Sequence, residues 1–170
     1  MPKLWTKLAV FLLVASVAAA GCGKPQTDGT AAGSALQERP MEATIKIYYG
    51  NEQGQQLVER TARISYNNAG DKYLATLNAL RTSSDPKLVP LFSGITFRSA
   101  ELKERQLTVD LSVSKEGQWG APGEELTLQA LKRTVFQFPE IDRLVVLVDG
   151  RKVESLMGHV DLPYPIYRNG

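Results

Sequence analysis

A run of five consecutive apolar residues, at positions 144–148, constrains the fold of this chain more than any other stretch. A short, continuous, valine-rich run suits a β-strand that is covered on much of both faces. Asp149 and Gly150 follow at once, and Gly150 can adopt a positive φ at no steric cost, which predicts a sharp turn. We therefore expect this strand to lie at the centre of a sheet.

Two amphipathic helices are predicted before this strand. Apolar residues at helical spacing from Tyr73 to Leu80 indicate the first helix, which should end near Thr82. The second is predicted over residues 124–137, where Leu128, Leu131, Val135 and Phe138 form one apolar stripe. Acidic residues open this helix, where they favour the positive end of the helix dipole.

Alternation of apolar and polar residues predicts the strands. They fall at 43–49, 57–64, 95–102 and 107–112, and residues 151–156 are predicted as a short return strand. The loop before the third of these strands should fill the core with Leu88, Val89, Leu91 and Phe92. From residue 71 the order is helix, strand, strand, helix, strand. This order predicts an α+β fold, a two-layer sandwich with an N-terminal strand extension.

The first 21 residues have the pattern of a signal peptide: a basic start, an apolar stretch and small residues before Cys22. The apolar stretch is short for a permanent membrane helix. Cys22 is the chain's one cysteine, and Ala-Ala-Gly-Cys resembles a bacterial lipobox, in which the cysteine is acylated and becomes the new N-terminus. Ala19 stands where that pattern favours leucine, and ordinary cleavage near Ala20 is the alternative.

Residues 22–40 are polar and small, which predicts a flexible tether, and residues 41–170 then form one domain. The full chain has 20 Lys and Arg against 18 Asp and Glu. Lys3 and Lys7 lie in the predicted leader, which holds no acid, so the remaining chain has a formal net charge of zero. With no long basic run, a nucleic-acid partner is not expected.

No constellation of catalytic or metal-binding residues can be assembled from the sequence. A zinc site needs three or four ligands, whereas His159 is the single histidine of the chain. We expect His159 to form a hydrogen bond with Asp161 that closes the end of the domain. Asp110 on a strand and Asp149 in a turn are explained by edge and turn roles. Serine-hydrolase and phosphate-loop motifs are absent. We therefore predict no enzyme activity, no metal and no cofactor.

Trp119 and Tyr48 are the aromatic candidates for a protein interface. Trp119 lies in a glycine-rich stretch, where an exposed tryptophan is typical of an interface anchor. The alternative is that Trp119 folds back over the start of the second helix. The sequence leaves both open.

Four stretches together resemble GerMN-domain lipoproteins, a family named after a sporulation and germination protein. They are IKIYYGN at 45–51, LTVDLS at 107–112, FPEIDRL at 138–144, and the stretch 146–162 that ends in GHVDL. The resemblance covers about residues 42–162. It implies a fold of the ring-building-motif type, with an αββαβ core.

The resemblance also implies a function. Domains of this type pack side by side into rings in envelope-spanning assemblies, although this chain has one copy where the founding member has two. We expect a non-enzymatic protein held on the extracytoplasmic face of the cell membrane by lipid on Cys22. Its partners would be envelope proteins, with a homo-oligomer or ring among the assemblies implied. Trp119, Tyr48, Asp149 and His159 are the candidate interaction residues. A lipoprotein that binds peptidoglycan or a small molecule is the alternative.

Overall fold

The structure is a computed structural model that describes residues 39–169. The predicted signal peptide, the lipid attachment residue Cys22 and nearly all of the predicted tether lie outside the described residues. Within the described part, no helix is long and apolar enough to span a membrane.

The N-terminal strands form a hairpin that is a sheet of its own. Strand β1 (Met41–Gly50) pairs antiparallel with β2 (Leu57–Tyr66) along its whole length. The side chain of Gln137 bonds to the edge of β1, accepting from the backbone N–H of Lys46 at 2.8 Å and donating to its carbonyl at 2.9 Å. The predicted strand extension is therefore a separate two-stranded sheet.

Four more strands form the second sheet, in the order β3-β4-β5-β6. They are β3 (Ile95–Lys103), β4 (Gln106–Val113), β5 (Arg143–Val148) and β6 (Ile166–Tyr167). Strand β5 pairs in parallel with β4 over its full length, while β6 pairs antiparallel with Arg143 and Leu144 alone. The valine-rich strand thus lies inside the sheet, as its sequence predicts.

Two helices complete the order αββαβ, which confirms the predicted α+β fold. Helix α1 (Asp71–Asn78) continues into a 3-10 turn that ends at Arg81, and α2 (Ala121–Val135) starts three residues earlier than predicted, with proline in its first turn. Helix α1 packs against β2, β3 and α2, and α2 also packs against β1.

The core is apolar apart from Glu124 and three threonines, Thr76, Thr127 and Thr134. Leu91 and Phe92 fill it from the loop before β3, as predicted, with 2% and 0% of their surfaces exposed. Among the largest fully buried side chains of the described residues, Glu124 alone is charged. The larger members of this set are Phe92, Leu77, Leu80, Leu91, Ile95, Leu107, Leu111, Leu131, Ile141 and Leu144. A buried carboxylate is costly unless it is hydrogen-bonded, so its partners matter.

Two glycines bring the loop before α2 against the start of β3. A Cβ atom on Gly94 would lie 2.2 Å from the backbone nitrogen of Gly117, so neither position accepts a side chain without movement of the backbone. The backbone N–H of Ser114 donates to the carbonyl of Gly94 at 2.9 Å. This contact positions Trp119 at the start of α2.

The predicted turn after β5 is confirmed. Asp149 and Gly150 have φ values of 52° and 76°, and the backbone N–H of Gly150 donates to Asp110 Oδ1 at 2.8 Å. The predicted return strand at 151–156 was wrong, because that segment makes only isolated bridges, between Val148 and Arg151 and between Ser155 and Asp161. The Ser155 hydroxyl in this segment donates to Glu124 of α2, and the backbone of Val153 and Glu154 bonds to Tyr164 and Leu162.

Candidate functional site

The segment at residues 155–168, which we call the strap, is tied to α2 at its first end by Glu124. One carboxylate oxygen of Glu124 accepts from the Ser155 hydroxyl at 2.7 Å and from the backbone N–H of Met157 at 2.8 Å. The other accepts from the backbone N–H of His159 at 2.9 Å. A single side chain in the first turn of the helix therefore binds every second residue of the strap from 155 to 159.

The electrostatics of Glu124 favour its charged form. Burial acts to raise its pKa, but the hydrogen bonds from Ser155, Met157 and His159, with a further contribution from the backbone of Leu156, outweigh burial and hold the pKa below its usual value. Gly158, with φ at +100°, donates its backbone N–H to the Ser155 hydroxyl at 2.7 Å. The strap therefore turns around a buried anion.

Arg168 ties the other end of the strap to the chain that follows α2. Its guanidinium group donates to the carbonyls of Phe136, Phe138 and Ile141. Carbonyls at the end of a helix have no partner within the helix, and a guanidinium with five donors can satisfy several of them. The backbone N–H of Arg168 also donates to the carbonyl of Asp142 at 3.0 Å.

Between these two anchors lies a groove of about 300 Å³, bounded by the strap and one side of α2. We call it the strap groove. Its helix wall carries Glu125, Leu128, Gln129 and Lys132, and its strap wall consists of Val160, Asp161, Leu162, Pro163, Pro165, Ile166 and Tyr167. Tyr167 is 56% exposed, and with Met41 it is one of two large apolar side chains exposed among the described residues.

Trp119 lies where the second of its two sequence alternatives places it. The indole N–H donates to the carbonyl of Leu91 at 3.0 Å, and the side chain is half-buried over Gly123, where a Cβ atom would lie 2.6 Å from Trp119 Cβ. The backbone N–H of Trp119 also contacts Met157 Sδ at 3.3 Å. Trp119 thus packs beside the anchored end of the strap, and its interface role stays a prediction.

Tyr48 is buried, with 8% of its surface exposed. Its hydroxyl donates to Glu59 at 2.8 Å, and the guanidinium of Arg133 lies 5.8 Å from the ring centroid. Burial and the hydrogen bond to Glu59 raise the pKa of Tyr48. The ring is part of the contact between the N-terminal hairpin and α2, which leaves little of it for a partner.

Asp149 and His159 are exposed, at different parts of the domain. Asp149 forms an ion pair with Arg98, with an N–O distance of 2.6 Å. His159 contributes its backbone N–H to Glu124, so the strap is closed by Glu124 rather than by the predicted His159–Asp161 bond. The candidate residues Trp119, Tyr48, Asp149 and His159 are not gathered into one site.

Residues 46–154, more than half of the chain, match the family model named Germane and described as sporulation and spore germination. The chain belongs to the Germane family. No curated protein matches it at a significant level.

Solved structures support the same fold for this Germane domain. The first GerMN domain of the sporulation protein GerM from Bacillus subtilis is 15% identical, with a TM-score of 0.60, covering 75% of this chain and 99% of that one. A Clostridium perfringens protein described as a lipoprotein is 23% identical, with a TM-score of 0.53, over 77% and 89% of the chains. The tandem GerMN domains of GerM from Bacillus subtilis are 20% identical, with a TM-score of 0.50, and the match covers 81% of this chain and 48% of that one.

A second polar cluster lies at the FPEIDRL stretch that carried the GerMN resemblance. Glu140 accepts from Lys72 Nζ at 2.6 Å and from the Tyr73 hydroxyl at 2.9 Å, and Tyr73 packs edge-on against Phe138 with ring centroids 5.4 Å apart. Burial and the neighbouring Glu140 raise the pKa of Tyr73 to about 12. The cluster joins the start of α1 to the chain after α2, which is a structural role.

Glu124 was not among the residues predicted to be functional, although its position in the sequence carries one signal. Glu124 lies four residues before Leu128 and so falls on the same apolar stripe of the Germane helix α2. An acid on a buried stripe requires donors from another segment. The adjacent Glu125 masked this signal, because two acids in a first turn are typical of an exposed helix start.

Proposed function

We propose that this Germane protein is a non-enzymatic, lipid-anchored envelope protein whose domain binds other proteins in sporulation or germination. The family match over residues 46–154 carries the proposal. The similarity in fold to a GerMN domain of a sporulation protein supports the same process. Acylation of Cys22 would hold the domain at the extracytoplasmic face of the cell membrane.

The engagement of the candidate acids supports a non-enzymatic domain. Asp110 accepts from the backbone N–H of Gly150, Asp149 pairs with Arg98, and Glu124 is saturated by the strap. The described residues contain no group of three or more His, Cys, Asp or Glu that could hold a metal ion. Each of these three acids therefore has a structural partner, as expected for a scaffold.

A ligand-binding lipoprotein is the second candidate function, and the strap groove is the observation in its favour. Its volume of about 300 Å³ lies at the low end of the range for small-molecule pockets. Its polar side chains, Glu125, Gln129, Lys132 and Asp161, stand beside an aliphatic and proline lining. This mixed lining favours a protein segment over a peptidoglycan fragment, whose surface is almost entirely polar.

Lipid anchoring is tested by metabolic labelling with an alkyne analogue of palmitate, comparing the native chain with Cys22→Ala. We expect label and membrane association in the native protein and neither in the variant. Equal membrane recovery of both proteins would contradict acylation at Cys22.

Protein binding is tested by crosslinking in living cells, followed by purification of the intact lipoprotein and mass spectrometry. Enrichment of envelope or sporulation-assembly proteins, lost when the domain surface is changed but Cys22 is kept, is the expected result. A homo-oligomer or ring would give crosslinks between copies of this chain. Recovery of the protein alone with a bound muropeptide would overturn the proposal in favour of ligand binding.

A further inference from the structure

The strap groove is held open before any partner arrives. Glu124 fixes the strap beside the first turn of α2, and Arg168 fixes it beside the carbonyls after α2. Between these anchors, the described hydrogen bonds of the strap run to Val153, Glu154 and β5. Pro163 and Pro165 further restrict the backbone of this wall. A preorganised wall lowers the entropy cost of binding.

The floor and rim of the groove suit an apolar side chain. Leu128, Leu162 and Ile166 are buried and form an aliphatic floor, and the half-buried Val160 extends it. Tyr167 stands at the rim with more than half of its surface exposed. Exposed aromatic side chains beside apolar depressions are frequent anchors of protein interfaces.

The groove is acidic at one end. Because Glu124 and Arg168 fix the direction of the strap, Asp161 lies toward the first turn of α2, where Glu125 also lines the groove. Both carboxylates are exposed, and Glu125 accepts from the side chain of Gln129 at 2.9 Å. Asp161 is in none of the ion pairs that the structure shows within residues 39–169. This end is therefore complementary to a cation.

We propose that the strap groove binds a short segment of a partner protein, with an apolar side chain on the aliphatic floor and a Lys or Arg side chain at Glu125 and Asp161. The inference rests on the proposed protein-binding function and names its site. The charge and the apolar floor of the groove favour this occupant over a lipid headgroup or a sugar. The two carboxylates outnumber Lys132, the one cation of the groove lining, and so disfavour the anionic headgroups of a bacterial membrane surface. An aliphatic floor offers little to a sugar.

The first test is a nuclear magnetic resonance titration of the full-length, isotope-labelled protein in neutral detergent micelles. The probes are acetylated hexapeptides with a central leucine, flanked by two lysines or by two glutamates. We expect shifts at Leu128, Ile166 and Tyr167, and roughly fivefold tighter binding of the lysine peptide. The double variant Glu125→Lys and Asp161→Lys should reverse that preference.

Three results would overturn the groove assignment. One is equal affinity for both peptides, and another is a set of shifts that lies away from the groove. The third is a stronger response of the same residues to short-chain phosphatidylglycerol, to a muropeptide, or to dilution of the protein alone. A stronger response to phosphatidylglycerol would assign the groove to lipid, a stronger response to the muropeptide to the cell wall, and a stronger response to dilution to a second copy of this chain.

A second test separates this inference from the proposed function. A photo-crosslinking phenylalanine derivative is placed at Gln129 in the groove or, as a matched control, at the exposed Arg63 on β2, in cells that retain Cys22. Adducts from Gln129 that map to an apolar residue beside Lys or Arg, and that disappear in the double variant, support the groove. Protein adducts from position 63 alone would support the proposed protein-binding function and contradict the assignment of the binding site to the strap groove. No protein adduct from either position contradicts both.

Discussion

The two ends of the strap and its middle differ in how they contact α2. At the ends, buried or half-buried charges, Glu124 and Arg168, meet backbone donors and acceptors. In the middle, aliphatic side chains and prolines face a groove of about 300 Å³. In this small domain, therefore, hydrogen-bonded charges specify the position of the groove wall, whereas the middle of the strap supplies the apolar surface of the groove.

Removal of the first anchor should have the largest effect. We expect Glu124→Ala to lower the free energy of unfolding by about 3 kcal/mol, because three donors of the strap lose a charged acceptor. Glu125→Ala, at the exposed neighbouring position, should change it by less than about 0.5 kcal/mol. Chemical denaturation measures both, and equal losses in the two variants would show that burial of Glu124 is not what fixes the strap.

The packing of Trp119 beside the anchored end of the strap should have the second largest effect on stability. We expect Trp119→Ala to cost about 2 kcal/mol, because the half-buried ring and its bond to the Leu91 carbonyl are lost. Trp119→Phe keeps most of the packing and should cost about half as much. Thermal unfolding followed by circular dichroism tests this order. An unchanged melting temperature in Trp119→Ala would assign the ring to an interface instead.

The second anchor is tested by Arg168→Ala, for which we expect a loss of about 1.5 kcal/mol as three carbonyls lose a charged donor. Arg168→Lys retains the charge without the planar fork and should recover less than half of the loss. The exposed Arg63→Ala serves as the control. Full recovery by lysine would indicate that charge, rather than the geometry of the guanidinium, holds this end.

The pH dependence of stability follows from the depressed pKa of Glu124. The ionised carboxylate stabilises the fold fully above its ordinary pKa of 4.5, and this contribution is lost as the pH falls through the lower pKa of the folded state. The stability difference between the native chain and Glu124→Gln, about 1 kcal/mol at neutral pH, should therefore shrink below about pH 4. A difference that stays constant across acid pH would contradict this assignment.

The smallest effect is expected in the middle of the strap. Tyr167→Ala should change the free energy of unfolding by less than about 0.5 kcal/mol, because more than half of the side chain is already exposed. The same variant should weaken the lysine peptide in the titration described above. A loss of stability comparable to that of Glu124→Ala would place Tyr167 in the core of the fold and not at a binding surface.

The fold was largely predictable from local patterns. The valine-rich strand, the turn at Asp149 and Gly150, and the αββαβ order follow from side-chain periodicity and turn chemistry, which act between neighbours in sequence. The start of the second helix was less accurate, since α2 begins at Ala121, three residues before the predicted position, with proline in its first turn.

The site was less predictable because its contacts join distant residues. Glu124 meets Met157 and His159 across more than thirty positions, and neither contributes a side chain that a motif could reveal. His159 drew attention as the single histidine, yet its backbone N–H makes the bond. Sequence patterns indicate which residues are buried, but they do not indicate which backbone groups a buried carboxylate will meet.

One measurement tests most directly whether a single buried carboxylate holds the wall of the groove. Glu124 is followed by nuclear magnetic resonance through an acid titration, together with the backbone amides of Met157 and His159. We expect a pKa for Glu124 below its ordinary value of 4.5, with both amides shifting at the same midpoint. A pKa at or above 4.5, or amides that do not follow the carboxylate, would contradict it.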